Sequence, residues 1–313
     1  GFARPEKNEV LRCTEIYKRC TERCATEMYW KLYFIINIKE GPLPLPFIPG
    51  LEGSGVIEEV GRDVLNFNIG DRIAYCTASV GSYCERRSLP ADKLVPLPED
   101  ISSQDAAAVL LKGLTAEYLI HRAYKVRSGQ KVLVHAAAGG VGTILCQWLK
   151  KIGAIVIGTV SSSEKASYAK KHGCDFTILH KQEDLVPRVL ELTDGNGVSV
   201  VYDSIGKETF NSSLDCIEKR GYFISFGNAS GLVDPINPMI LAKKGSLFFS
   251  RPSLMDYCST RDELLKSSES LFNFIIDGLN VNINNNIPLD QVEKAHKMLE
   301  SRSTTGSTIL IPS

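Results

Sequence analysis

No two of the nine cysteines in this 313-residue chain stand in C-x-x-C spacing. Zinc ribbons, zinc fingers and thioredoxin-like sites need that spacing to bring two sulfurs onto one ion or into one bond, so all are disfavoured. Cys13, Cys20 and Cys24 lie close together and the rest are scattered, which reads as unpaired cytosolic thiols. Net charge is missing too: Lys+Arg and Asp+Glu both total 36, so no chain-wide field gathers nucleic acid or anionic lipid. Long apolar runs are also lacking. Nothing approaches the roughly 18 to 20 apolar residues of a membrane span, and the most apolar stretch, Trp30 to Ile38, is broken by Lys31 and Asn37. The first residues carry Arg4, Glu6, Lys7 and Glu9, which do not form a secretory leader. The expectation is a cytoplasmic protein.

What is present is a globular composition, 43% hydrophobic and 23% charged, in a length that allows two domains. From Lys131 onward, short β-branched runs alternate with helix-length segments. The runs are 132–135, 155–158, 176–179, 198–202, 222–226 and 247–249. Six strands so separated predict a doubly wound parallel sheet. Val141, Ile144, Leu145, Trp148, Leu149 and Ile152 fall on one face of a helix, and Gly153 stands where a left-handed cap belongs. Gly173 and Gly221 are expected to end helices in the same way. Residues 51–98 read as small antiparallel β structure, and 102–123 as helix. Near the C-terminus, Thr260-Arg261-Asp262-Glu263 has the form of a capping box, and Asn280 to Asn286 is a turn-prone polar run. A helix around Val292 to Leu299 and a strand at Thr308 to Ile311 close the chain.

The strand at 132–135 runs into Ala136-Ala137-Ala138-Gly139-Gly140-Val141-Gly142 and then straight into the amphipathic helix. Read as A-x-G-x-x-G, the fingerprint is Ala137, Gly139 and Gly142. Small residues let a pyrophosphate approach the backbone and rest on N–H groups at a helix N-terminus, where the dipole favours negative charge. The alternative is a glycine-rich turn that binds nothing, but strand, turn, helix and second strand occur in the required order. An NAD site expects an acidic residue about 20 positions further on. Here Gly158-Thr159-Val160-Ser161-Ser162-Ser163 offers none and Lys165 follows, which favours a 2′-phosphate and hence NADPH. Otherwise Lys165 is a solvated helix lysine.

HAAAGGVG at 135–142, LKGLTAEYL at 111–119, YDSIG at 202–206, SFGNASG at 225–231, SRPSL at 250–254 and ESRSTTGS at 300–307 together resemble the NADPH:quinone oxidoreductases. These are the zeta-crystallin-like, zinc-free branch of the medium-chain dehydrogenase/reductase superfamily, and the resemblance runs from about Pro42 to the C-terminus. It implies an α/β protein: a Rossmann NADPH-binding domain at 114–250, and a GroES-like β-rich catalytic domain built from 1–113 and 251–313. It also implies that Gly140 and Val141 face the pyrophosphate and that Ser161 with Lys165 holds the 2′-phosphate. Ser204, Phe226, Gly227 and Asn228 would line the ribose and nicotinamide side, Arg302 would add a charged contact, and His180 would lie against the adenine. Read without the resemblance, Phe226 is a core strand residue, Asn228 a turn residue and Arg302 a solvated charge.

Where zinc-dependent relatives carry G-H-E, this chain has Gly50-Leu51-Glu52, and leucine cannot ligate a metal. The resemblance therefore implies quinone reduction without zinc, by holding reduced nicotinamide against an electron-poor acceptor. The N-terminal forty residues depart from the family pattern. Asn37 is the candidate for the active-site asparagine, with a roleless strand or turn asparagine as the alternative, and Tyr33 fits the family tyrosine poorly. Reduction of an activated C=C bond in an enone or enal is the alternative activity. A protein that holds NADPH but binds RNA or serves a structural role is the alternative of another class, and the neutral charge disfavours its nucleic-acid form. The apolar last Rossmann strand, at 246–250, is an edge that a homodimer would cover.

Overall fold

The computed structural model describes residues 9–10, 46–301 and 306–312. The chain divides into two compact units, with the breaks at Leu114/Thr115 and Tyr257/Cys258.

The central unit is a six-stranded, all-parallel sheet. Its strands are β4 (Lys131–Val134), β5 (Ile155–Val160), β6 (Phe176–Leu179), β7 (Val198–Asp203), β8 (Ile217–Ser225) and β9 (Phe248–Ser250), in the order β9-β8-β7-β4-β5-β6. The chain runs outward to β6, then returns to the middle and runs outward the other way. β4 and β7 therefore flank the point where strand order reverses, and ligands of such sheets bind beyond the carboxyl ends of the strands there. Register lines up one buried row across the sheet: Phe223 opposite Val201, Val201 opposite Leu133, and Leu133 opposite Ile157. All four are fully buried in one core cluster, and burial of each such side chain contributes about 1.5–3 kcal/mol. One residue further along, Val134 lies opposite both Gly158 and Tyr202, so the turns that follow β4, β5 and β7 leave the sheet together.

Helix α2 (Gly140–Ile152) ends as its sequence requires, with Gly153 in the left-handed region at φ 88° and its N–H bonded to Lys150 O. Helices α3 (Ser163–Lys171), α4 (Leu185–Leu192) and α5 (Phe210–Asp215) connect the later strands. Gly221 does not cap a helix. Helix α5 stops at Asp215, and Gly221 lies within β8, where the pairing with β7 shifts register between Ile217 and Tyr222. A Cβ at Gly221 would meet Ser199 O at 3.0 Å and Ile217 Cγ2 at 2.5 Å, so glycine is required by close backbone approach at a bulge.

In the other unit, β1 (Gly53–Val56) and β3 (Val95–Pro96) pair antiparallel with β2 (Arg72–Tyr75). Ile57, Phe67, Ile73, Leu89 and Leu94 are buried beneath them. Helix α1 (Ser103–Tyr118) opens with Ser102, whose Oγ accepts the Asp105 N–H at 2.9 Å; the break at Leu114/Thr115 falls within it, and its end in the central unit continues into a π-turn at Leu119–Ala123. Helix α6 (Arg261–Ile276) carries both halves of the expected capping box. The polar run 280–286 is not a turn throughout. Ile283–Pro288 forms β10, parallel to β11 (Ser307–Ile311), because Ile283, Asn285 and Ile287 turn inward while Asn284 and Asn286 stay exposed. Helix α7 (Val292–Glu300) connects the two strands. No helix among the described residues is long and apolar enough to cross a membrane.

Candidate cofactor site

The site begins with an unusual backbone conformation. Ala136, the residue after the His135 that ends the β4 run, has φ 52°, a left-handed conformation that costs a non-glycine residue about 1–2 kcal/mol. That geometry turns the Ala136 carbonyl under the glycines, where it accepts the Gly139 N–H at 2.8 Å. Ala137 N–H bonds Thr159 O at 3.0 Å, tying the turn to β5. A Cβ on Gly142 would lie 2.3 Å from Ala136 O, and one on Gly139 would lie 3.1 Å from the same atom. The spacing of the fingerprint is thus enforced sterically, since the third glycine lets the helix start sit directly on the turn. Gly139 is the N-cap and, having no side chain, gives no side-chain cap. The N–H groups at Gly140, Val141 and Gly142 have no intrahelical carbonyl to reach, and a helix N-terminus of this kind is suited to an anion.

The remaining site residues stand on the loops that follow the neighbouring strands. Ser161 directly follows β5 and is half-buried. Ser162 caps α3, its Oγ accepting the Lys165 N–H at 3.3 Å. Lys165 is half-buried in the first turn of the same helix. His180 directly follows β6, is exposed, and donates its N–H to Val160 O at 3.2 Å. Ser204 follows β7, and Phe226, Gly227 and Asn228 follow β8; all four are half-buried. These two loops are interlocked: Phe226 N–H bonds Asp203 O at 2.8 Å, Ala229 N–H bonds Ser204 O at 3.1 Å, and a Cβ on Gly227 would lie 2.6 Å from Ser204 O. Five consecutive loops of one parallel sheet therefore bring the sequence candidates to the same carboxyl edge. Asn37 and Arg302 lie outside the described residues, as do Cys13, Cys20 and Cys24.

Two residues beneath this edge have a role that no local sequence pattern marks. His135 is buried, with Nδ1 3.1 Å from Thr159 Oγ1 and Nε2 2.9 Å from Ser213 Oγ. Burial holds its imidazole below the ordinary histidine range, with Asp203 acting against this and His180 adding to it. Asp203 is fully buried, and its carboxylate accepts from the N–H groups of Ile205 and Gly206 at 2.6 and 3.0 Å and from Thr209 Oγ1 at 2.6 Å. It thereby fixes the loop that presents Ser204.

In the other unit, Gly50 has φ 93°, and a Cβ there would lie 2.6 Å from the Tyr83 ring. Glu52 is held inward and accepts the Leu111 N–H at 2.9 Å. Burial pushes its carboxyl above the usual range, partly offset by Lys112 and by that hydrogen bond. Leu51, between them, offers no donor atom.

Comparison with known proteins decides the family. Residues 16–131 match the alcohol dehydrogenase GroES-like domain, and residues 140–260 match the zinc-binding dehydrogenase domain. The chain is 48% identical over 278 residues to the quinone oxidoreductase of Pseudomonas aeruginosa, covering 88% of this chain and 86% of that protein. The chain belongs to the quinone oxidoreductase family. Among solved structures of this family, Escherichia coli quinone oxidoreductase complexed with NADPH superposes with a TM-score of 0.89 at 41% identity, covering 100% of this chain and 94% of that one. A 2-haloacrylate reductase from a Burkholderia species is 44% identical over 271 residues, covering 85% of this chain and 81% of that protein. Membership of the quinone oxidoreductases places the fold in the medium-chain dehydrogenase/reductase superfamily, with a GroES-like domain and a Rossmann domain.

Proposed function

We propose that the protein is an NADPH-dependent quinone reductase that works without a metal ion. The observation that carries this reading is the cradle after β4, where the backbone approaches so closely at Gly142 that only glycine fits and no side chain caps the first N–H groups of α2. Residues 114–250 then form the cofactor domain, and 1–113 with 251–313 the catalytic domain. Ala137, Gly139, Gly140, Val141 and Gly142 hold the pyrophosphate. Ser161 and Lys165 take the 2′-phosphate, since the loop after β5 offers a hydroxyl and a cation where an NAD site would place a carboxylate. His180 lies against the adenine, and Ser204, Phe226, Gly227 and Asn228 position the ribose and nicotinamide. Arg302 is assigned as a further cofactor contact and Asn37 as the active-site asparagine. NADPH supplies the hydride when bound; the chain supplies proximity and a fixed orientation toward the acceptor.

The family name of the second domain mentions zinc, but the residues present do not fit a catalytic zinc ion. Leu51 stands at the histidine position, and the neighbouring Glu52 carboxylate is engaged by the Leu111 N–H. Oxidation of NADPH on addition of 1,4-benzoquinone or 9,10-phenanthrenequinone, unchanged by a chelator, is the expected result. Tight NADPH binding with no turnover would instead favour an RNA-binding or structural protein.

A second reading is supported by the 2-haloacrylate reductase relative: reduction of an activated C=C bond by the same cofactor site. Running enones in the same assay separates the two. We also assign a homodimer formed through β9, the sheet edge on which Phe248 and Phe249 are exposed, and a cytoplasmic location.

A further inference from the structure

The Ala136 N–H bonds Thr159 Oγ1 at 3.3 Å, and the next amide, Ala137 N–H, bonds the same residue's carbonyl at 3.0 Å. Thr159 therefore grips two successive amides on either side of the left-handed turn. Its hydroxyl is in turn met by His135 Nδ1 at 3.1 Å, while His135 Nε2 reaches Ser213 Oγ on α5 at 2.9 Å. All four residues belong to the Rossmann unit, and His135, Thr159 and Ser213 are buried. The bridge thus ties β4, β5 and α5 together directly below the residue whose carbonyl underlies Gly139 and Gly142.

We propose that His135, Thr159 and Ser213 are positioning residues for the dinucleotide. Their hydrogen-bonded bridge fixes the orientation of the Ala136 peptide and so aims the N–H groups at the start of α2. This rests on the assignment of the 137–142 turn as the pyrophosphate site. A neutral imidazole has one donor and one acceptor, which two hydroxyls can satisfy in either tautomer. A protonated imidazole would donate to both, and the buried hydroxyl hydrogen that had been donated to the ring would then need a new acceptor. Asp203 and His180 are the ionisable groups whose charge reaches the ring.

The test is a comparison of Thr159→Val, Thr159→Ser and Ser213→Ala, with Gly142→Ala as the control for the site itself. Thr159→Val keeps the shape and removes the hydroxyl. It is expected to raise the NADPH Kd and KM about tenfold while kcat and the quinone KM stay within about twofold, and Thr159→Ser should restore the affinity. Ser213→Ala should act in the same direction and more weakly. If Thr159→Val does not fold, hydrogen exchange in Ser213→Ala decides: faster exchange at the 136–139 amides relative to β5 supports the bridge, and unchanged exchange overturns it. A folded Thr159→Val with wild-type NADPH Kd overturns the positioning role when Gly142→Ala has lost affinity. If Gly142→Ala also keeps the wild-type Kd, the turn is not the site and the assignment beneath the proposal falls with it.

Discussion

Replacing Gly142 by alanine adds one methyl group at the most crowded point of the cradle. The new Cβ would lie 2.3 Å from the Ala136 carbonyl oxygen and 3.0 Å from Ala137 Cα, both backbone atoms that no rotamer change can move. Ordinary contact begins near 3.4 Å, so the start of α2 and the turn must separate by roughly 1 Å, and overpacking of this kind costs about 1–3 kcal/mol. Part of that cost falls on the fold. At about 2–4 °C per kcal/mol, thermal unfolding should drop by several degrees. The rest falls on binding, because a displacement of about 1 Å at the N–H groups spoils hydrogen bonds to a pyrophosphate, and the NADPH Kd should rise about tenfold or more. Differential scanning fluorimetry and fluorescence titration with NADPH measure the two halves. Unchanged Tm together with unchanged Kd would refute the steric reasoning.

Other changes have defined outcomes. Lys165→Glu should raise the KM for NADPH far more than that for NADH in steady-state assays, because only NADPH carries the 2′-phosphate; equal effects would remove the assignment. Leu133→Ala, at the fully buried centre of the sheet, should cost about 2–5 kcal/mol in denaturant unfolding. Glu52 binds its proton more tightly folded than unfolded, so its contribution to stability is present below the unfolded carboxyl pKa and is lost as pH rises through the folded one. Glu52→Gln, which keeps an acceptor for Leu111, should therefore raise Tm at pH 8 relative to wild type and leave it little changed at pH 4. Phe248→Asp should turn a dimer into a monomer in analytical ultracentrifugation if β9 is the interface.

The parallel sheet was legible because burial on both faces leaves continuous β-branched runs, and because the period changes cleanly between Val134 and Val141. The glycine turn after β4 was legible because steric demand permits so few residue types there. Gly221 misled because a glycine after a short helix looks the same in sequence whether it caps the helix or opens a bulge; the nearness of Ser199 O, a long-range contact, decides it. Asn280 to Asn286 misled because asparagine is read as turn-forming, whereas here the alternate positions at Ile283 and Ile287 govern. The His135–Thr159–Ser213 bridge joins residues 24 and 78 positions apart, and no local pattern marks such a meeting.

The most direct measurement is the rate of reduced-cofactor consumption by purified protein given 1,4-benzoquinone, with NADPH and NADH compared and a chelator present. Robust turnover that prefers NADPH and does not respond to the chelator is the predicted result. NADPH bound tightly but oxidised by neither quinone nor enone would contradict the account.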